Sequence, residues 1–407
     1  MPKSYSNYAR TNWVTLAIIL FTTFIPSSGS MGMLKLAIVV LLCLFRSGNQ
    51  LSNSYITLKR KQSQRIIFLW FVSIFLASIA VIMTEGGLNY ATIGHEFSRV
   101  IYYLCVIVLS FSITISLKQL FYACSIIILI HFSVQLSQYL SLGIFDQYII
   151  QYYLSGDMNN QHYLMSMQLY DGGFRSGSIF INPNVYVCYP YLSLGVFLQY
   201  YILNKGNISL IMIAVAFLSI VLTGSRMGMV TYIFIIAWYF FYASKHIQVD
   251  ESKKRSGSSW AFILGVVILG IFYIDDIISY SEGMRAFSLD SAYENSGSVK
   301  FQGLLAYFRL SNPLEWMFGS LGADRLAIPI DMEWGYIFAW FGIFGLFWYL
   351  RLIKLIYSYH KRNYPIISSI SAFSIIMTAI GASSVLNMSV FPYICAISFT
   401  NILPFKK

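Results

Sequence analysis

Gly173-Phe-Arg-Ser-Gly-Ser-Ile-Phe-Ile-Asn-Pro-Asn184 runs directly into an apolar, aromatic stretch over 185–203. Pro183 suits the first turn of a helix, where a missing N–H costs nothing, and Asn182 is a suitable N-cap. The helix that follows is long and apolar enough to be membrane-embedded. Arg175 is then placed beside the positive end of a membrane helix, at the lipid–water boundary. A cation next to a helix N-terminus makes an anion site. An arginine snorkelling to the interface accounts for the same residues. From this stretch alone both readings stand.

Similar apolar runs recur through all 407 residues, of which 57% are hydrophobic and only 11% charged. A soluble globular protein carries about 25% charged residues. The fold class expected is therefore all-α, a polytopic integral membrane protein forming a single transmembrane domain over 1–407. Runs of spanning character fall at 12–27, 32–45, 66–83, 97–116, 119–142, 184–203, 208–223, 227–243, 259–274, 332–350, 364–381 and 386–403, about twelve transmembrane helices. With the N-terminus inside, the inner segments hold nineteen of the 27 basic residues and only Asp250 and Glu251 of the 16 acidic ones. The split predicts that both termini are cytoplasmic. It also makes the net charge of +11 a topology signal that needs no nucleic-acid partner. Two outer loops are long, 143–183 and 275–331, and loops of that length usually carry function. Within the second, the aromatic, apolar run 301–310 predicts a short helix on the membrane surface.

Other classes find little seat. Cys43, Cys105, Cys124, Cys188 and Cys395 all sit in apolar runs without C-x-x-C spacing, and the five histidines are scattered. No metal or other cofactor is expected, and no phosphate-binding glycine motif is present. The spans read as nearly free of ionisable groups, His131 being the main exception. That pattern favours chemistry at one face over passage through the membrane, which commonly uses buried charges.

Two further stretches carry candidate chemistry. In Leu222-Thr-Gly-Ser-Arg-Met-Gly228, Gly224 permits a tight turn, Ser225 caps the next helix, and Arg226 occupies its first turn. Arginine is disfavoured there unless an anion accompanies it. Arg175 and Arg226 could jointly grip a pyrophosphate, because guanidinium makes planar, bidentate contacts with phosphate oxygens. The alternative is a lone interfacial arginine closing a hairpin. The third stretch is Ser311-Asn-Pro-Leu-Glu-Trp-Met-Phe-Gly-Ser-Leu-Gly322, followed by Asp331-Met-Glu-Trp-Gly-Tyr at the outer mouth of a span. Asp331 and Glu333 are either solvated acids at a helix start, a general base, or groups that orient an acceptor hydroxyl. Gly342-x-x-Gly345 predicts close helix packing.

The order of these motifs resembles the Wzy-type O-antigen and capsule repeat-unit polymerases, within the O-antigen ligase/polymerase superfamily. The resemblance covers chiefly 173–345. It implies a metal-independent glycosyltransferase of the bacterial inner membrane, whose substrate is an undecaprenyl-pyrophosphate-linked oligosaccharide presented at the periplasmic face. The growing glycan would pass to a sugar hydroxyl of the incoming unit, with lipid pyrophosphate as leaving group. It would work among membrane lipids, with a polysaccharide chain-length regulator as a possible partner. By the resemblance Arg175, Arg226 and Glu333 are the catalytic candidates. Asn184, Arg285, Arg309, Arg325 and Asp331 are the substrate-binding ones. The ligase relatives typically place a histidine ahead of the G-x-x-G helix, and here no histidine lies between 247 and 359. A ligase and a lipid-linked oligosaccharide flippase are the alternatives.

Overall fold

The computed structural model describes residues 3–27, 29–47, 54–85, 90–152, 176–180, 183–204, 206–246, 298–321, 332–381 and 384–403. The predicted span at 259–274 and most of both long loops lie outside the described residues, as do Arg175, Arg285, Arg325 and Asp331. The helices in chain order are α1 (Lys3–Phe21), α2 (Gly29–Ser47), α3 (Ser54–Glu85), α4 (Tyr90–Ser112), α5 (Leu117–Tyr139), α6 (Asp146–Tyr152), α7 (Pro183–Tyr186), α8 (Cys188–Asn204), α9 (Asn207–Val221), α10 (Arg226–His246), α11 (Ser298–Leu310), α12 (Pro313–Phe318), α13 (Glu333–Tyr359), α14 (Pro365–Gly381) and α15 (Phe391–Phe399). Two three-residue strands, β1 (Thr114–Ser116) and β2 (Asn401–Leu403), pair in parallel, with Ile115 opposite Ile402.

This is a helical membrane protein. Among the described residues four helical segments are long and apolar enough to cross a bilayer: Gln64–Thr84, Thr92–Ser112, Leu117–Tyr139 and Glu333–Tyr359. Shorter apolar helices cover Asn12–Phe24, Asn207–Val221, Met227–Tyr239 and Pro365–Ile380. The chain divides into two compact units, one comprising 1–120 and 292–407, the other 121–291.

Three predicted spans are interrupted, each for a local reason. The run at 184–203 is split at Val187 into α7 and α8, because Pro190 has no N–H to offer the carbonyl of Tyr186. The run at 386–403 forms helix only over Phe391–Phe399, nine residues with Pro392 in the first turn. At about 1.5 Å per residue that is roughly 14 Å, half of a bilayer core. Beyond it Thr400 turns extended and the chain pairs with β1. The third interruption is Gly342 within α13, at φ 65° and ψ −158°. Tyr349 donates a hydrogen bond of 3.0 Å to Glu333 Oε2 across 16 residues. In a straight helix those residues would be about 24 Å apart, so Gly342 folds the two halves of α13 against each other.

The break is held by α12. A Cβ on Gly342 would strike the carbonyl of Met317, and one on Gly319 would strike that of Trp340, so the two backbones touch. The N–H groups of Ser320 and Leu321 reach the Ala339 and Trp340 carbonyls at 2.9 and 3.3 Å, and Tyr307 of α11 adds a bond of 3.2 Å to Ala339. Burial pushes the Tyr307 hydroxyl up to about 12, keeping it a donor. The close packing predicted for Gly342 is thus backbone-to-backbone packing at a break rather than between two continuous helices. The run 301–310 is helical, as α11.

Candidate functional site

In unit 121–291 the polar residues of the opening stretch are drawn inside. The segment 176–180 forms a tight turn in which Phe180 N–H bonds the Gly177 carbonyl at 2.9 Å. A side chain on Gly177 would collide with the Phe180 carbonyl, so only glycine fits. His131, Gln135 and Gln138 lie four and three residues apart on α5, on one face of the helix, and all three are buried. His131 Nδ1 meets Ser178 Oγ at 2.9 Å, and Gln138 Nε2 donates to the Ser178 carbonyl at 2.9 Å. Ser176 Oγ donates to Gln138 Oε1. Gln135 Nε2 donates to the carbonyls of Ser176 and Ser219 at 3.3 and 3.0 Å, while Ser219 Oγ donates back to Gln135 Oε1. Tyr186 of α7 completes the net through its hydroxyl contact with Ser219.

The same unit joins two of the sequence motifs. Ser176 N–H bonds the Leu222 carbonyl at 3.0 Å. Ser225 Oγ donates to Asn184 Oδ1 at 2.8 Å and itself accepts the Gly228 N–H at 3.1 Å, capping α10 as expected. Gly224 takes φ 58° in the tight turn that the motif predicts, a left-handed conformation that favours glycine. Arg226 is the first residue of α10. The Asn-Pro-Asn turn and the Gly-Ser-Arg turn, forty-one residues apart, are therefore one local structure. It presents a helix start bearing an arginine, next to the segment that follows Arg175. Such an arrangement can bind an anion.

The predicted acid belongs to the other unit. Glu333 is 1% exposed, which rules out the solvated helix-start reading. Its carboxylate accepts the N–H groups of Ser384 and Leu386 at 2.8 and 2.7 Å, Ser384 Oγ at 2.8 Å and Tyr349 Oη at 3.0 Å. Those bonds fasten the loop that leads into α15. On the loop's other side, Lys35 of α2 donates to Ser389 Oγ at 2.9 Å, to the Ile25 carbonyl at 3.0 Å and to Ser27 Oγ at 3.2 Å. Asn387 Oδ1 accepts from Ser389 and Val390 N–H at 2.9 and 3.2 Å, starting α15. Glu333 and Lys35 thus both engage the segment that leads into α15. Arg309, in the last turn of α11, is exposed.

The spans are not nearly free of ionisable groups. Lys35, within the predicted span 32–45, is fully buried, and so is Glu96 at the start of α4. Glu96 pairs with Arg99 Nη1 at 2.7 Å. The signal was legible, since a charge inside an apolar run is a functional candidate by default. Both Lys35 and Arg99 fall among the eight basic residues that the charge split assigns to the outside. Comparison with known proteins finds no matching family model and no matching curated protein.

Proposed function

We propose that the chain is a repeat-unit polymerase of the bacterial inner membrane, with about twelve spans and both termini cytoplasmic. It transfers a growing glycan from undecaprenyl pyrophosphate to a hydroxyl of the next lipid-linked oligosaccharide. The acceptor oxygen bonds to the anomeric carbon, the bond from that carbon to pyrophosphate breaks, and the acceptor proton is released. Charge develops on the pyrophosphate, and fixed guanidiniums beside it stabilise the transition state. The observation that carries this reading is the Ser225–Asn184 bond, which makes one structure of the two arginine-bearing motifs. Arg175 and Arg226 hold the leaving group; Asn184, Arg285, Arg309, Arg325 and Asp331 contact the saccharides. Glu333, engaged by four donors, positions the loop before α15, and to act as a base it would have to give up one of them.

A second reading gains support from unit 1–120 plus 292–407. Buried ionisable groups beside discontinuous helices are common in transporters. Lys35, Glu333, the break in α13 and the half-length α15 fit a flippase for the same lipid-linked sugar.

One experiment separates these readings: a gel of surface polysaccharide from a strain lacking the gene, beside its complemented partner. A polymerase predicts loss of the long ladder with a single unit still attached. Lipid-linked polymer with nothing attached would instead indicate a ligase. Lipid-linked single units trapped at the cytoplasmic face would indicate a flippase, and an unchanged pattern would overturn all three.

A further inference from the structure

Glu96, Arg99, Tyr103 and Ser110 are spaced three, four and seven residues apart, which places them on one face of α4. That face points inward. Glu96, Tyr103 and Ser110 have no exposure. Glu96 and Arg99 are paired as ions, but among the described residues both Glu96 oxygens, Arg99 Nε, the Tyr103 hydroxyl and Ser110 Oγ are buried without an aligned hydrogen-bond partner. The Glu96 carboxylate has the Arg99 guanidinium at 2.7 Å and the exposed His95 imidazole at 3.6 Å, but accepts no aligned N–H among the described residues. Against Tyr103 stands Trp70 of α3, with ring centroids 5.1 Å apart, and Trp70 stacks on Trp348 of α13 at 4.5 Å. Both indole N–H groups are also buried, with no hydrogen-bond partner among the described residues.

These rings cannot swing to find partners. Tyr103 lies flat on Phe391 at 3.7 Å, and Trp70 and Trp348 are held nearly parallel. If packing were the whole purpose, phenylalanine at 103 would make the same stack with no stranded hydroxyl. Buried polar groups in proteins nearly always have a partner, from the chain, from ordered water or from a ligand. The donors and acceptors here also specify what kind. A bare cation would satisfy Glu96 and leave the indoles, the phenol and Arg99 unmet. A bare anion would do the reverse. A hydroxyl does both, because it donates to a carboxylate and accepts from N–H.

We propose that this face of α4, with Trp70 and Trp348 opposite it, is a binding site for hydroxylic molecules inside the unit. The hydroxyls come either from a file of waters or from a saccharide. The site is independent of the arginine-bearing turns and of whichever reaction they serve.

The test uses the full-length protein in lipid nanodiscs, with tryptophan labelled by nitrogen-15. The Trp70 and Trp348 indole resonances are assigned from the peaks lost in Trp70→Phe and Trp348→Phe. On transfer to heavy water, a hydroxyl-bearing site exchanges both indole protons within about an hour, whereas a dry core protects them for days. Protection of both would overturn the proposal. Exchange unaffected by added glucose or N-acetylglucosamine identifies water as the occupant. A saturable shift of the two peaks with either sugar identifies a saccharide. Tyr103→Phe, which keeps the ring stack, should move both indole resonances while leaving the other tryptophans in place.

Discussion

The two units enclose different polar clusters. In 121–291 two glutamines, three serines, a histidine and a tyrosine hydrogen-bond one another around residues 176–178, although Ser137 Oγ and Ser209 Oγ are buried with no partner among the described residues. In 1–120 plus 292–407 the clusters include full charges, the Lys35 and Glu333 clusters and the Glu96–Arg99 ion pair, while the Tyr103 hydroxyl and the Trp70 and Trp348 indoles have no hydrogen-bond partner among the described residues. A satisfied net is rigid, and suits holding two helix starts at a fixed spacing for an anion. Stranded groups beside broken helices suit an interior that admits hydroxyls. Composition does not account for the difference, since both units are built from similar apolar helices.

The largest effect expected is on activity. Arg226→Ala or Arg175→Ala should abolish chain extension while the protein still reaches the membrane, read by the polysaccharide ladder and by immunoblot. Full-length ladders from both variants would remove the fixed anion site from the comparison. Glu333→Gln tests the other unit. A base predicts loss of more than about a hundredfold in rate, whereas a positioning group predicts a milder fall.

Next come the glycines at which a side chain has no room. Gly177→Ala and Gly342→Ala should each cost more than about 3 kcal/mol in detergent unfolding, through left-handed strain at Gly342 and backbone collision at both. A tolerated Gly342→Ala would argue that α13 does not fold back on itself.

A matched pair of tyrosines sharpens the contrast at smaller scale. Tyr186→Phe removes a hydroxyl engaged by Ser219 and should cost about 1–2 kcal/mol. Tyr103→Phe removes one that no protein group uses, and should stay within about 0.5 kcal/mol of wild type in the same melt. Equal costs would erase the distinction between satisfied and stranded interiors.

The smallest expected effect near neutrality is a pH dependence. Burial holds His360, just beyond α13, down to about 3, against 6.5 for an ordinary histidine. Between those values the unfolded chain binds a proton that the folded chain does not, so stability should decline as pH drops below 6.5. Thermal melts from neutral pH to about 5 should show the decline, and His360→Gln should flatten it.

Much of the local structure was legible in the sequence. Apolar run length marked the helices, and the Gly-Ser-Arg motif marked a tight turn with a serine cap. The start of α12, not read from the sequence, carries a full capping box between Asn312 and Glu315. The α5 stripe of His131, Gln135 and Gln138 could have been found by helical spacing, yet nothing along the chain said what it would hold. Lys35 and Glu96 stand out as charges in an apolar context, yet the charge split assigns both to the outside: Glu96 because the hydropathy boundary of its span falls one residue later, and Lys35 although it lies within the run 32–45.

The amino-acid sequence by itself determined that this is an apolar helical membrane protein, and where its turns fall, because those follow from helix length, capping and the conformations glycine and proline permit. Tertiary structure alone decided that residues 176 and 184 share one structure with 222 and 225. It alone turned Glu333 from a helix-start acid into a four-fold acceptor, and left Tyr103 without a partner. The physical reason is that hydrogen bonds between distant residues depend on which helix faces meet, and hydropathy, being a property of single positions, carries no record of that.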